Sequence, residues 1–238
     1  MREPVGSPRD PHSPAAPPFR VTLETVKADP EVEAYVGKAN EALGVLGYTE
    51  HGFRHANLTA RIAYNILKRL GHPERDAELA AIAGYLHDIG NLVSRQNHEQ
   101  VGAMLADRIL ARLGMGPEER AVVMSAIGNH EESHGQPVSN VGAAVILADK
   151  SDVHRTRVRN PDPTTFDIHD RVNYAVEHSF LRVDERNREI TLELVINTEA
   201  APVMEYFEIF LSRMILCRRA AEFLGCQFKL QINGVKLL

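Results

Sequence analysis

Residues 79–90 read Leu-Ala-Ala-Ile-Ala-Gly-Tyr-Leu-His-Asp-Ile-Gly, an apolar run of small residues that ends on an imidazole and a carboxylate. Small side chains let neighbouring helices approach closely, so this segment belongs deep in a helical bundle and carries His87-Asp88 in with it. A buried imidazole or carboxylate is costly unless it is paired or bound to metal. Other parts of the chain must therefore supply partners at the same depth.

The flanking sequence has helical period. Leu58, Ile62, Ile66 and Leu70 recur every four residues and stop at Gly71. Pro73 opens the helix that carries Leu79, Ile82, Ala83 and Leu86. Further helices are expected from His98 to Leu113, from Pro117 onward with Val123 and Ile127 one turn apart, from Val141 to about Arg157, and from Thr165 to Val176. After residue 178 the period changes. Ile190, Leu192, Leu194 and Ile196 alternate with polar residues, as do Phe228, Leu230 and Ile232, with a helix from Pro202 to Leu224 between them and an earlier strand near Phe180 to Val183. The fold class is mainly α: a helical bundle over 21–177 with a small C-terminal α+β appendage of β-β-α-β order over 178–238. Residues 1–20, with six prolines by Pro18, form a tail too poor in apolar side chains to order itself.

Helical period then places further ligand-type residues on inward faces. His55 shares a face with Leu58, Thr59 and Ile62; His130 follows Val123 and Ile127 on one stripe; Asp149 closes the apolar run from Val145 to Ala148. A second adjacent pair, His169-Asp170, lacks such company and reads as a solvated helix surface. Imidazole and carboxylate suit divalent Fe, Mn, Co, Ni or Zn. A carboxylate in the middle of such a site can bridge two ions, and two ions together activate water and stabilise a leaving oxygen.

The ordered motifs resemble the HD superfamily: His55 in His-Ala-Asn-Leu-Thr-Ala, His87-Asp88-Ile89-Gly90, His98 in Asn-His-Glu-Gln-Val-Gly-Ala, His130 in Asn-His-Glu-Glu, and Asp149 in Leu-Ala-Asp-Lys. The resemblance spans residues 50 to 160 and implies an HD-domain bundle with two divalent ions, Fe or Mn foremost and Co, Ni, Zn or Mg as alternatives. It implies that His55, His87 and Asp149 hold one ion, that His98 and His130 hold the other, and that Asp88 bridges. Asn129 stands where cyclic-dinucleotide phosphodiesterases of this superfamily carry another histidine, and the Glu-Asp of guanosine-tetraphosphate hydrolases is missing after His87-Asp88, which disfavours both substrates.

His51 precedes His55 by four residues, similar to the His-Asn-x-x-His of cyclic-nucleotide phosphodiesterases, and is the candidate general acid. Lys150, with Arg155, Arg157 and Arg159, is the candidate phosphate binder, and Asp88 the central catalytic carboxylate. The expected function is hydrolysis of a phosphate ester or anhydride of a nucleotide or related small molecule. The competing readings are a di-iron oxygenase and a nucleotide-binding regulatory protein. A formal charge of -5 opposes general nucleic-acid binding. Two cysteines without metal spacing and no apolar stretch of membrane length point to a cytoplasmic chain. The Cys217 helix, with Phe207, Phe210, Leu211 and Met214 on one face, suits either a core or pairing with a second copy.

Overall fold

The computed structural model describes residues 20–237, so the proline-rich tail lies outside the described residues except for Arg20. Nine helices occur among these residues: α1 (Leu23–Lys27), α2 (Pro30–Val45), α3 (Phe53–Arg69), α4 (Glu74–Leu86), α5 (His98–Arg112), α6 (Pro117–Gly128), α7 (Asn140–Lys150), α8 (Ile168–Ala175) and α9 (Val203–Phe223). Four strands follow or flank the last helix: β1 (Val176–Asp184), β2 (Glu189–Ile196), β3 (Gln227–Ile232) and β4 (Val235–Lys236). The architecture is mainly α with a small sheet near the C-terminal end. No described helix is long and apolar enough to cross a membrane.

Local chemistry sets the starts of these helices. Asp29 caps α2 by accepting from the amides of Glu31 and Val32, with Pro30 in the first turn; Ser139 caps α7 and Asp167 caps α8 in the same way. The axis of the bundle is α7, whose residues Val141 to Lys150 are all buried. A helix that is buried on every side needs neighbours on every side, and α3, α4, α6 and α9 supply them. α7 ends at Lys150 rather than near Arg157, because the Ser151 hydroxyl takes the Ala148 carbonyl at 2.7 Å and the chain then leaves the helix.

Strand order is β1-β2-β3-β4. β1 and β2 are antiparallel with Val183 opposite Ile190; β2 and β3 are parallel, pairing Ile190 with Phe228 and Leu192 with Leu230; β3 and β4 are antiparallel. The parallel pair requires a crossover, which α9 provides. Ile190, Leu192, Leu194, Phe228, Leu230 and Ile232 are buried on one face. α9 packs against this sheet and also against α7, so sheet and bundle share one apolar core. The short β4 was not anticipated, although Asn233-Gly234, both with positive φ (50° and 81°), is the usual two-residue hairpin signal.

Candidate metal centre

Two glycines let the donor-bearing segments close on one another. A Cβ on Gly84 of α4 would meet the Thr59 and Ala60 backbone of α3 at 3.2 Å. A Cβ on Gly90 would sit 1.9 Å from the His98 carbonyl oxygen. The turn after His87-Asp88 can therefore press against the first turn of α5, which brings His98 to Asp88. On α3 the buried face is His55, Thr59, Ala63 and Ile66, small enough for this approach. Leu58 and Ile62, expected on the His55 face, instead lie half-buried on its flank.

The six residues read as metal donors converge. Each imidazole has its Nδ1 on an acceptor: His87 on the Gly84 carbonyl (2.8 Å), His130 on the Ile127 carbonyl (2.6 Å), His98 on the Arg95 carbonyl (3.1 Å) and His55 on Asp152 Oδ2 (2.6 Å). Such acceptors fix the proton on Nδ1 and leave a lone pair on Nε2. These Nε2 atoms face each other in two pairs, His55 with His87 at 3.1 Å and His98 with His130 at 3.1 Å. Lone pairs at that separation repel unless a proton or a cation lies between them.

The two carboxylates complete the arrangement. Asp88 Oδ2 lies 3.6 Å from His55 Nε2 and 3.3 Å from His87 Nε2, while its Oδ1 lies 3.4 Å from His98 Nε2. Asp149 Oδ1 lies 3.3 Å from His55 and 3.6 Å from His87. Asp88 Oδ2 is buried and has no hydrogen-bond partner among the described residues. An orphaned carboxylate oxygen amid nitrogen lone pairs is a donor set for divalent metal, so the residues fit such an ion. Donor atoms within 4.8 Å of one another occur in three groups: His55, His87 and Asp149; His87, Asp88 and His130; and His98, His130 and Glu131.

The electrostatics point the same way. Burial works against ionising Asp88 and Asp149, but His87 beside the first and Lys150 beside the second outweigh it and hold both well below the usual carboxylate range. Burial also disfavours the His87 cation, yet Asp88 and Asp149 push it up to about 10, so the carboxylates draw positive charge to this point. Burial pushes His130 well below the ordinary imidazole value and lowers His98, leaving both as neutral donors.

Lys150 is 4% exposed, with its Nζ 2.7 Å from both Asp149 Oδ2 and Glu132 Oε2. The ammonium expected to bind phosphate is thus engaged by two carboxylates and orients Asp149. Arg157, also read as a phosphate cation, is buried against the carbonyls of Glu50 and Asp152, and Arg155 pairs with Glu177. His51 has its Nδ1 2.7 Å from the Thr49 carbonyl, and burial together with Arg157 holds its pKa well below the ordinary value.

His51 lines a cleft of about 390 Å³ with Tyr48, Arg95, His169, Phe210 and Arg213. The cleft adjoins the centre, since the His51 and His55 rings are 5.5 Å apart and Arg95 Nη1 is 3.1 Å from His98 Nε2. His169, read as plain surface, is exposed but stands on this cleft wall. Asp152, to which the sequence reading gave no part at the centre, accepts from His55 and from Arg54 (2.7 Å). Glu131 (3.7 Å from His98 Nε2), Glu99 (3.4 Å from His98 Nδ1) and Arg213 (3.1 Å from Glu132) were missed. For Glu131 a signal existed, because it follows His130 directly in Asn-His-Glu-Glu.

Fold and donor set together define a helical protein whose histidine–aspartate centre can hold divalent metal. Comparison with known proteins narrows that class. The HD domain family model matches residues 52–154. An uncharacterized protein of Methanocaldococcus jannaschii is 31% identical over 182 residues, covering 67% of this chain and 69% of the relative. A predicted HD superfamily hydrolase from an uncultured Thermotogales bacterium, whose crystal structure is solved, is 25% identical with a TM-score of 0.42, over 55% of this chain and 73% of that one. The chain belongs to the HD superfamily.

Proposed function

We propose that this chain is a metal-dependent phosphohydrolase that cleaves a phosphate ester or anhydride of a small molecule, a nucleotide or a relative of one, in the cytoplasm. The observation that carries the reading is the two facing pairs of Nε2 atoms beside the Asp88 carboxylate, whose Oδ2 has no hydrogen-bond partner among the described residues. His55, His87, Asp88 and Asp149 would hold one ion, and His98 and His130, with Asp88 shared and Glu131 within reach, the other; iron or manganese suits the set. Bound ions of this kind supply Lewis acidity and lower the pKa of water.

The protein's own groups account for the rest. Asp152 holds the His55 ring and Lys150 holds Asp149, fixing both donors before any ion arrives. Arg95, which lies over the Tyr48 ring on the cleft wall, is suited to phosphate oxygens, and Arg213, held by Glu132 and stacked on Phe210, backs the same wall. His51 Nε2 would accept the proton of the attacking water.

Protein loaded anaerobically with iron or manganese should carry two ions per chain by elemental analysis; a firm value of one would remove the shared role of Asp88. Loaded protein should release phosphate from a panel of phosphate esters. Two bound ions with oxygen consumption and no hydrolysis would overturn the reading in favour of an oxygenase.

His51→Ala should keep its metal and lose about 100- to 10,000-fold in rate. Because a proton acceptor on the water is indifferent to the leaving group, the loss should persist with a nitrophenyl ester. If it disappears with that ester, His51 is the general acid after all.

A further inference from the structure

α3 turns a second face toward β1, away from its buried His55 face. Between them lies a cavity of about 490 Å³ lined by neither the six converging donors nor any residue of the His51 cleft. Its floor is apolar, with Leu58 and Ile62 from α3 and Leu181 and Val183 from β1. Its rim is cationic, with Arg54, Arg61 and Arg69 spaced about two turns apart along α3.

Arg54 is paired with Glu50 Oε2 at 3.0 Å and Asp152 Oδ2 at 2.7 Å, so the free charge of the rim is that of Arg61 and Arg69. Asp152 is the one carboxylate lining the cavity, and its Oδ2 already accepts from His55 and Arg54. Arg61 and Arg69 have no ion-pair or hydrogen-bond partner among the described residues. Their backbone positions, eight residues apart on one helix, lie about 12 Å apart along its axis. That distance spans a small organic molecule. A neutral occupant would strip water from these cations and return nothing, whereas an anion forms charge-assisted hydrogen bonds with them.

We propose that this cavity is a second ligand site, for an amphipathic organic anion with an apolar body and a phosphate or carboxylate head, and that it communicates with the histidine–aspartate centre. The body lies on the floor between α3 and β1, and the head lies among the arginines. The route of communication is short. Arg54 lines the cavity and gives Nη2 to Asp152 Oδ2 at 2.7 Å, and the same oxygen takes the His55 Nδ1 proton at 2.6 Å. An anion that draws Arg54 toward itself leaves Asp152 a stronger acceptor for His55, which makes the His55 Nε2 a better donor. Occupancy of the cavity should therefore slow the loss of metal.

The test uses the full chain loaded with manganese, titrated by calorimetry with octyl phosphate, octanoate, octanol and octyltrimethylammonium. One equivalent of octyl phosphate or octanoate should bind saturably, the tighter of the two naming the head group, and the neutral and cationic chains should not. Arg61→Ser with Arg69→Ser should weaken binding at least about tenfold while leaving the thermal midpoint and the metal content unchanged. Leu181→Asp should weaken it too. Saturating ligand should lengthen the time a chelator needs to strip manganese from the wild-type chain. Equal binding of all four probes, or binding unaffected by the double substitution, would overturn the site; binding with unchanged stripping would overturn the communication. None of these readouts requires hydrolysis, so the site can fail or stand independently of the proposed function.

Discussion

Asp88→Ala should abolish metal binding and reduce hydrolysis to below about one-thousandth of the wild-type rate, whereas Asp170→Ala should leave both within about twofold. The two substitutions remove the carboxylate from each of the chain's two His-Asp pairs. Asp88 places one oxygen near His55 and His87 and the other near His98, so its loss opens both halves of the centre at once. Asp170 lies on α8 with its backbone amide on Asp167 and no donor partner at the centre. Elemental analysis and phosphate release on the same preparations decide the matter. Equal damage from both would mean that the centre is misplaced. Because a buried carboxylate leaves a cavity when removed, Asp88→Asn is the companion variant: it should fold and still fail to hold two ions.

Lys150→Met should destabilise the protein by about 3–5 kcal/mol, since it leaves the buried Asp149 without its ammonium and Glu132 with Arg213 alone. For a chain of this length that corresponds to a fall in melting temperature on the order of 10 °C. Metal retention should fall with it, because Asp149 loses the contact that orients it. A phosphate-binding lysine predicts something else: an unchanged melting temperature and a raised KM. Thermal unfolding and steady-state kinetics on one variant separate the two roles. If only KM moves, the ion pairs with Asp149 and Glu132 are incidental.

Much of the fold was legible because the helices and strands are amphipathic at their own periods. Helix α5 from His98, helix α6 from Pro117, helix α9 closed by Gly225 and the alternation in β2 and β3 are all present as read. The convergence of the six residues read as donors was legible for a related reason: each sits on an inward helical face or at the buried end of one, where a polar residue needs a partner. The supporting residues were not. Asp152 stands 97 positions from His55, and Arg213 reaches Glu132 from 81 positions away. No periodicity links such pairs, and only the packing of α9 and α3 on α7 brings them together. The misplacement of Leu58 and Ile62 has a physical lesson too. Large apolar residues were assumed to mark the deepest face of α3, but the deepest face is the one with small residues, because Gly84 of α4 has to fit against it.

The crossover of α9 also fixes when the centre can become complete. All six converging donors leave the ribosome before residue 150, yet the guanidinium that pairs with Glu132, and through it borders Lys150 and Asp149, is encoded more than sixty positions later. A nascent chain therefore exposes its imidazoles to cellular metal while the lysine–glutamate pair beneath them is still uncovered. Docking of α9 is the step that covers this lysine–glutamate pair, and in chain order it comes after every residue of the centre.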